Sequence, residues 1–88
     1  GIALIGARNT VISLNDVRDN REQIDSPIHG GGIVVLDGAI FGADVPTGNS
    51  ISLNWLSGNT PYDLFGDGTG SANTVGNNTC TTTNLGGC

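Results

Sequence analysis

One short pattern, Asn-x-(Val/Leu)-x-x-Asn, stands three times in this chain, at 15–20, 54–59 and 73–78, and it limits the possible folds more than any other feature. The first two copies follow the same four residues, Ile-Ser-Leu-Asn at 12–15 and 51–54, so their match runs from 12–20 onto 51–59. A short unit that cannot bury its own apolar face must stack on a neighbouring copy, so an internal repeat sets architecture before local propensity does. The repeat marks a coiled stack of strands.

Composition agrees with strands. Gly contributes 15 of 88 residues, Met and Lys are absent, and charged residues are 12%. Surface helices draw on Lys, Glu, Arg and Gln, whereas Gly, Asn, Thr, Ser, Val, Ile and Leu are the residues of strands and turns. The expected class is all-β. A chain of this length allows one domain with a small core, or part of a larger one.

The net charge is −5, and Arg8, Arg18 and Arg21 are the only basic residues apart from His29. Three arginines are too few to track a phosphate backbone or an anionic bilayer, so nucleic acid and membrane are not expected partners. No apolar run approaches the roughly 20 residues of a membrane helix. The sequence shows no leader and begins inside an apolar segment, 2–5, which is expected either of a processed chain or of the end piece of a longer one.

Cys80 and Cys88 enclose a Gly-containing segment at the end of the sequence. A short Cys-bounded loop suits a disulfide that staples a frayed end, as small extracellular domains with thin cores use. Two thiols with no third or fourth ligand nearby do not make a zinc site. Secretion is the compartment that follows. The division expected is repeat turns over 1–79 and a disulfide-bounded cap over 80–88.

A second class of repeat is apolar: 2–5, 33–36 and 63–66, at spacings of 31 and 30 residues. The Asn motifs recur at 39 and then 19. Both series fit if each turn holds an apolar strand, a loop, an Asn strand and a return loop of variable length. This register puts Leu14, Leu53 and Ala72 in one interior column and Val17, Leu56 and Val75 in another. It stacks Asn15, Asn54 and Asn73 at one corner, and Asn20, Asn59 and Asn78 at the next. Asn tolerates left-handed backbone, and its amide both donates and accepts, so the expectation is an Asn ladder along the axis.

The segment 59–70, Asn-Thr-Pro-Tyr-Asp-Leu-Phe-Gly-Asp-Gly-Thr-Gly, followed by Asn73-Thr74-Val75 and the terminal cysteines, resembles the C-terminal region of secreted right-handed parallel β-helix proteins of actinobacterial type; 30–37, Gly-Gly-Gly-Ile-Val-Val-Leu-Asp, resembles the preceding turn. The likeness covers nearly the whole chain and departs at Gly66, where the family usually carries Trp before Asp-Gly. It implies a right-handed parallel β-helix, a solenoid of about three turns with a disulfide-closed C-terminal end. The wider pectate-lyase-like superfold includes enzymes and binding proteins for acidic polysaccharides. Fold kinship alone carries no activity.

Lyases of that fold pair calcium, held by clustered carboxylates, with a basic proton acceptor. The resemblance therefore directs attention to Asp37 and Asp67, each followed by Gly, which would stack at the end of the apolar strand as a calcium site. The competing reading is two Asx turns whose side chains serve their own backbone. The return loop 21–29 holds Arg21, Glu22, Asp25 and His29, residues suited to proton transfer or to gripping a sugar, and equally to a solvated loop. Trp55 and Tyr62 bracket a short corner and are candidate stacking surfaces for a sugar ring. Asp16 and Arg18 flank Val17 and are expected to form a surface ion pair. A single His and no nucleophile elbow argue against Ser-type hydrolysis. Asn77-Asn78-Thr79 matches the N-glycosylation pattern, which three residues meet easily by chance.

The first turn, headed by Ile2, Leu4, Ile12 and Leu14, is expected to present unpaired strands and open apolar columns, an end that invites another chain. Two functions from different classes follow. The first is a secreted structural or binding module that self-associates or stacks through this end, as a homo-oligomer, a fibre or a continuation of turns of the same protein. The second is part of a polysaccharide lyase or hydrolase. No cofactor is required by the first, and calcium serves the second.

Overall fold

The computed structural model describes residues 1–23, 25 and 28–88. Among these residues are eight short strands: β1 (Ile2–Ile5), β2 (Val11–Ser13), β3 (Asp16–Arg18), β4 (Ile33–Leu36), β5 (Ser50–Ser52), β6 (Trp55–Ser57), β7 (Leu64–Gly66) and β8 (Thr74–Gly76). A single 3-10 turn, Ala39–Phe41, lies between β4 and β5. Every strand pairing is parallel, and the strands form three sheets ordered β1-β4-β7, β2-β5-β8 and β3-β6.

The strands are short because the sequence alternates over only three positions. In β2, β3, β5 and β6 one apolar residue, Ile12, Val17, Ile51 or Leu56, is buried between two flanking residues that face outward or lie half-buried. A side-chain period of two permits that arrangement only in extended backbone. The chain then turns at a single left-handed residue, and an Asn or Thr follows it. Asn9, Leu14, Asp19, Leu53, Ala72 and Asn77 all have φ between 53° and 59°. Gly58 fills the same role with φ 66°, and a Cβ there would strike the Asp19 carboxylate of the preceding turn. The operative unit is thus five residues: a left-handed residue, Asn or Thr, and a three-residue strand.

The core is a set of columns. Ile2, Ile33 and Leu64 are in register, as are Ile12, Ile51 and Val75, and Val17 with Leu56. Ile33, Ile51 and Leu64 are fully excluded from solvent, which stabilises by roughly 1.5–3 kcal/mol per side chain. Cys80, Leu85 and Ala7 pack partly buried against the same cluster.

Four expectations are corrected by this register. The third Asn motif is displaced by five residues: Ser50 pairs with Thr74 and Ile51 with Val75, so Asn73 falls under Asn49 and Asn78 under Asn54. The third apolar strand is displaced by one, since Ile33 pairs with Leu64 rather than Asp63. Leu14 and Leu53 occupy left-handed corners and are 75% and 51% exposed, so they fill no interior column, and Ala72 is likewise an exposed corner. Finally, the Asn segment is two strands set in different sheets, because the left-handed residue at its middle breaks the extended run.

Residues 80–88 fold back across one end. Cys80 and Cys88 form a disulfide with a Cα–Cα distance of 5.1 Å. Leu64 pairs with Thr83, and the N–H groups of Asp63 and Leu64 donate to the Thr82 carbonyl at 2.8 and 3.1 Å. Asn84 mimics a strand neighbour, accepting from the Gly66 N–H at 2.8 Å and donating to its carbonyl at 2.7 Å. A disulfide of this kind fits an oxidising environment outside the cytoplasm. No helix among the described residues is long and apolar enough to cross a membrane.

Candidate functional site

The Asn residues form three ladders at the corners. In the first, Asn15 donates its backbone N–H and its Nδ2 to Oδ1 of Asn54, both at 3.0 Å, and Asn54 repeats this on Asn78, again at 3.0 Å for both. In the second, Thr10 donates its N–H to Asn49 Oδ1 at 3.0 Å, and Asn49 donates twice to Asn73 at 3.1 and 2.9 Å. In the third, Asn20 donates twice to Asn59 at 2.9 and 3.0 Å. The lower amide also reaches back to a carbonyl three residues before the upper rung: Asn54 to Ile12, Asn59 to Val17 and Asn49 to Ala7, at 3.1, 2.8 and 2.9 Å. Asn49, Asn54, Asn59 and Asn78 are buried, and these bonds satisfy groups that would otherwise be desolvated at a loss of about 1–3 kcal/mol each.

Asp63 ends the third ladder in place of an Asn. Its Oδ1 accepts from the N–H and Nδ2 of Asn59 at 3.2 and 2.9 Å, and its Oδ2 accepts from the N–H groups of Thr81 and Thr82 at 3.0 and 3.4 Å. Burial by itself raises its pKa, but the N–H of Thr81, the Asn59 amide and the N–H groups of Thr82 and Asn59 outweigh it and hold the carboxyl below its ordinary value. The acid thus anchors the terminal segment to the last corner. Neither Asn49 nor Asp63 was visible as a rung in the sequence; the signal was the five-residue spacing 49, 54, 59, which the longer motif obscured.

On the outer face of the first sheet, His29 lies over Phe65 with ring centroids 5.0 Å apart, and Tyr62 stacks on Phe65 at 5.5 Å. Glu22 Oε1 accepts the Gly30 N–H at 2.9 Å and lies 3.2 Å from His29 Nδ1. The Gly30 N–H, then His29, hold the Glu22 carboxyl below its ordinary value despite a small opposing effect of burial. Of the loop candidates, Glu22 and His29 are therefore brought together, while Arg21 pairs through backbone with Thr60 and Asp25 is exposed. Ile24, Ser26 and Pro27 of the same loop lie outside the described residues. Trp55 is 61% exposed in β6, in register with Asp16, and stands apart from Tyr62 and the aromatic group around Phe65.

Asp37 and Asp67 come together, the Asp37 N–H donating to Asp67 Oδ2 at 2.7 Å. Each also closes an Asx turn: Asp37 Oδ1 accepts from the Ala39 N–H at 2.9 Å, and Asp67 Oδ1 from the N–H and hydroxyl of Thr69 at 3.0 and 2.5 Å. Burial raises the Asp67 pKa, but the Thr69 hydroxyl, the Asp37 and Thr69 N–H groups and the charge of His29 outweigh it and lower it. Three carboxylate oxygens thus accept from local donors, as in the Asx-turn reading, and the two side chains supply only part of the six to eight oxygens that calcium takes. No cluster of three or more His, Cys, Asp or Glu able to hold a metal occurs among the described residues. Each carboxyl with a perturbed pKa is lowered, so none of these three is prepared as a general acid at neutral pH.

The two ends of the stack differ. At the C-terminal end residues 80–88 cover β7, and the Asn78 N–H donates to the Gly87 carbonyl at 3.0 Å. At the other end β1, β2 and β3 are the outer strands of all three sheets, with no strand beyond them among the described residues. The apolar columns are less open there than expected. Leu4 and Ile12 are each 6% exposed and Ile2 is half-buried, because neighbouring strands shield one another across a narrow interior. What this edge presents is backbone and ladder oxygens. Arg18 pairs with Asp16 at 2.9 Å on the adjoining surface, both exposed, as expected of a plain ion pair.

The chain matches no protein-family model, no curated protein and no solved structure.

Proposed function

We propose that this chain is a secreted structural and binding module, a right-handed parallel β-helix of about three turns over 1–79, capped by 80–88, that works by stacking through the edge of β1, β2 and β3. The observation that carries this reading is the asymmetry of the stack: one end is closed by a disulfide-bounded segment, the other ends in three parallel strands without neighbours among the described residues. Unpaired parallel edges are templates for strand addition. The carboxylates of Glu22, Asp63 and Asp67 each accept backbone N–H groups of the chain itself, as structural carboxylates do. Hydrogen exchange combined with light scattering tests the reading. The amides of β1–β3 should exchange faster than those of β4–β6 in the isolated monomer. Equal protection of both sets in a monomer overturns it, since the chain would then cover its own edge.

The second reading, part of a polysaccharide lyase or hydrolase, is favoured by one observation, the contact of His29 with Glu22 and Phe65 beside Asp67. Calcium-dependent release of unsaturated uronates from pectate or alginate supports it. Its absence, with unchanged polymer length, removes it.

A further inference from the structure

The ladders have a direction. In each rung the Oδ1 of one Asn receives two N–H groups, backbone and amide, from the residue one turn nearer the N-terminus: Asn15 onto Asn54, Asn54 onto Asn78, Asn49 onto Asn73 and Asn20 onto Asn59. Each ladder Oδ1 therefore accepts from the N-terminal side, while the amides of Asn49, Asn54, Asn59, Asn73 and Asn78 also donate back to a carbonyl of the preceding turn. At the closed end this polarity is terminated by groups of the chain itself: Asp63 receives the donors of Asn59, and Gly87 receives the N–H of Asn78. At the other end Asn15 directs its N–H and Nδ2 to Asn54 and Ser13, and its Oδ1 meets no donor among the described residues. The Oδ1 of Asn20 accepts a hydrogen bond from the amine of Gly1.

Two copies brought edge to edge by a two-fold axis would each present a lower rung, in which the N–H and Nδ2 of Asn15 are already directed to Asn54 and Ser13, so the rung is not repeated between them. A copy added head to tail would meet the closed face, where Asn84, Leu85 and Gly87 already occupy the positions below β7 and β8. The complementary surface is a strand turn running parallel to β1–β3, with Asn at the rung positions so that a backbone N–H and a carboxamide NH2 descend on the Oδ1 of Asn15, and on that of Asn20 in place of the Gly1 amine. We propose that the β1–β2–β3 edge is a polar, one-way docking surface that accepts a parallel turn bearing Asn rungs five residues apart and refuses a second copy of itself. This inference rests on the stacking reading above and names its partner by chemistry.

The test uses two lengthened chains and the unmodified one. In the first lengthened chain the sequence of residues 2–32 is placed once more ahead of Ile2, which keeps the 31-residue register of Ile2 on Ile33. In the second, the added copies of Asn15 and Asn20 each carry Asn→Asp, leaving a rung that accepts but has no amide to donate. The first extension is expected to slow exchange of the β1–β3 amides by about tenfold or more, and the second to give much less protection. Equal protection by both extensions overturns the ladder rule while leaving stacking intact. Protection by neither overturns both readings. The unmodified chain supplies a measurement that needs no redesigned turn: it should remain monomeric across a concentration series, and a dimer that protects the β1–β3 amides overturns the proposal while supporting stacking.

Discussion

Asn54 and Asn78 are joined twice: the backbone N–H and the side-chain Nδ2 of Asn54 both donate to the Oδ1 of Asn78 at 3.0 Å, with both residues buried. The same Asn54 side chain donates to the carbonyls of Ile12 and Ser52, and its Oδ1 receives both donors of Asn15. One carboxamide therefore ties three successive passes of the chain.

Asn54→Ala should lower unfolding stability by about 2–4 kcal/mol, because buried partners on both neighbouring passes lose their bonds at once. Asn54→Asp should be worse, since a carboxylate keeps the acceptor for Asn15 but has nothing to donate to Asn78 or Ile12. Urea unfolding followed by circular dichroism orders the three proteins, and a neutral Asn54→Ala would remove the ladder as a source of stability.

Acid should loosen the capped end first. The Asp63 pKa is lowered in the fold from an ordinary 3.8, so the carboxylate contributes stability that is complete well above that value and is lost as pH falls through the lower folded value. The expected signature is falling stability below about pH 4, with exchange rising first at Thr81 and Thr82. Asp63→Asn should flatten that acid dependence and, by turning an amide toward the N–H groups of Thr81 and Thr82, lower stability at pH 7 by about 2 kcal/mol. An unchanged acid profile in Asp63→Asn would place the linkage elsewhere.

The disulfide closes a loop with a sequence separation of eight, for which chain entropy gives about 2.5 kcal/mol. Replacing both Cys80 and Cys88 by Ser should lower Tm by about 10–20 °C for a domain of this size. Exchange should rise at Leu64 and Gly66, whose backbone is paired by residues 82–84. A Tm unchanged on reduction would mean that Leu85 and Asn84 hold the segment without the covalent link.

Two exposed leucines should be replaceable with a gain. Leu14 and Leu53 hold φ of 58° and 59°, a geometry that disfavours a side chain bearing Cβ by about 1–2 kcal/mol and suits Asn far better. Leu14→Asn and Leu53→Asn should each raise stability by about 0.5–1 kcal/mol, while Leu56→Ala, at a buried position, should lower it by about 2–4 kcal/mol. Loss of stability in both Asn variants would show that the exposed side chains are packed on something in solution.

Much of this architecture was legible because repetition exposes geometry. The match of 12–20 with 51–59 placed Asn15 over Asn54 and Asn20 over Asn59 and put Trp55 outward beside Asp16, all as the structure has them. The third turn departs from the repeat match for a physical reason. It lacks a full second pentad strand, so the best textual match, 73–78 onto 54–59, competes with the pairing that buries Val75 under Ile51, and burial decides. One-dimensional matching likewise puts Asp63 in the apolar strand, because it cannot see that a carboxylate four residues after Asn59 returns to sit beneath it.

The sequence by itself determined the all-β class, the stacking of repeated units, the Asn corners and the cysteine pair, because side-chain alternation, turn chemistry and repeat spacing are local properties. Only the tertiary structure decided the register of the last turn, the outward course of Leu14 and Leu53, the role of Asp63 as a ladder end, and the difference between a closed and an uncovered face. Those depend on which hydrogen bonds and apolar columns can be satisfied together between residues 18 to 42 positions apart, and no local pattern records that balance.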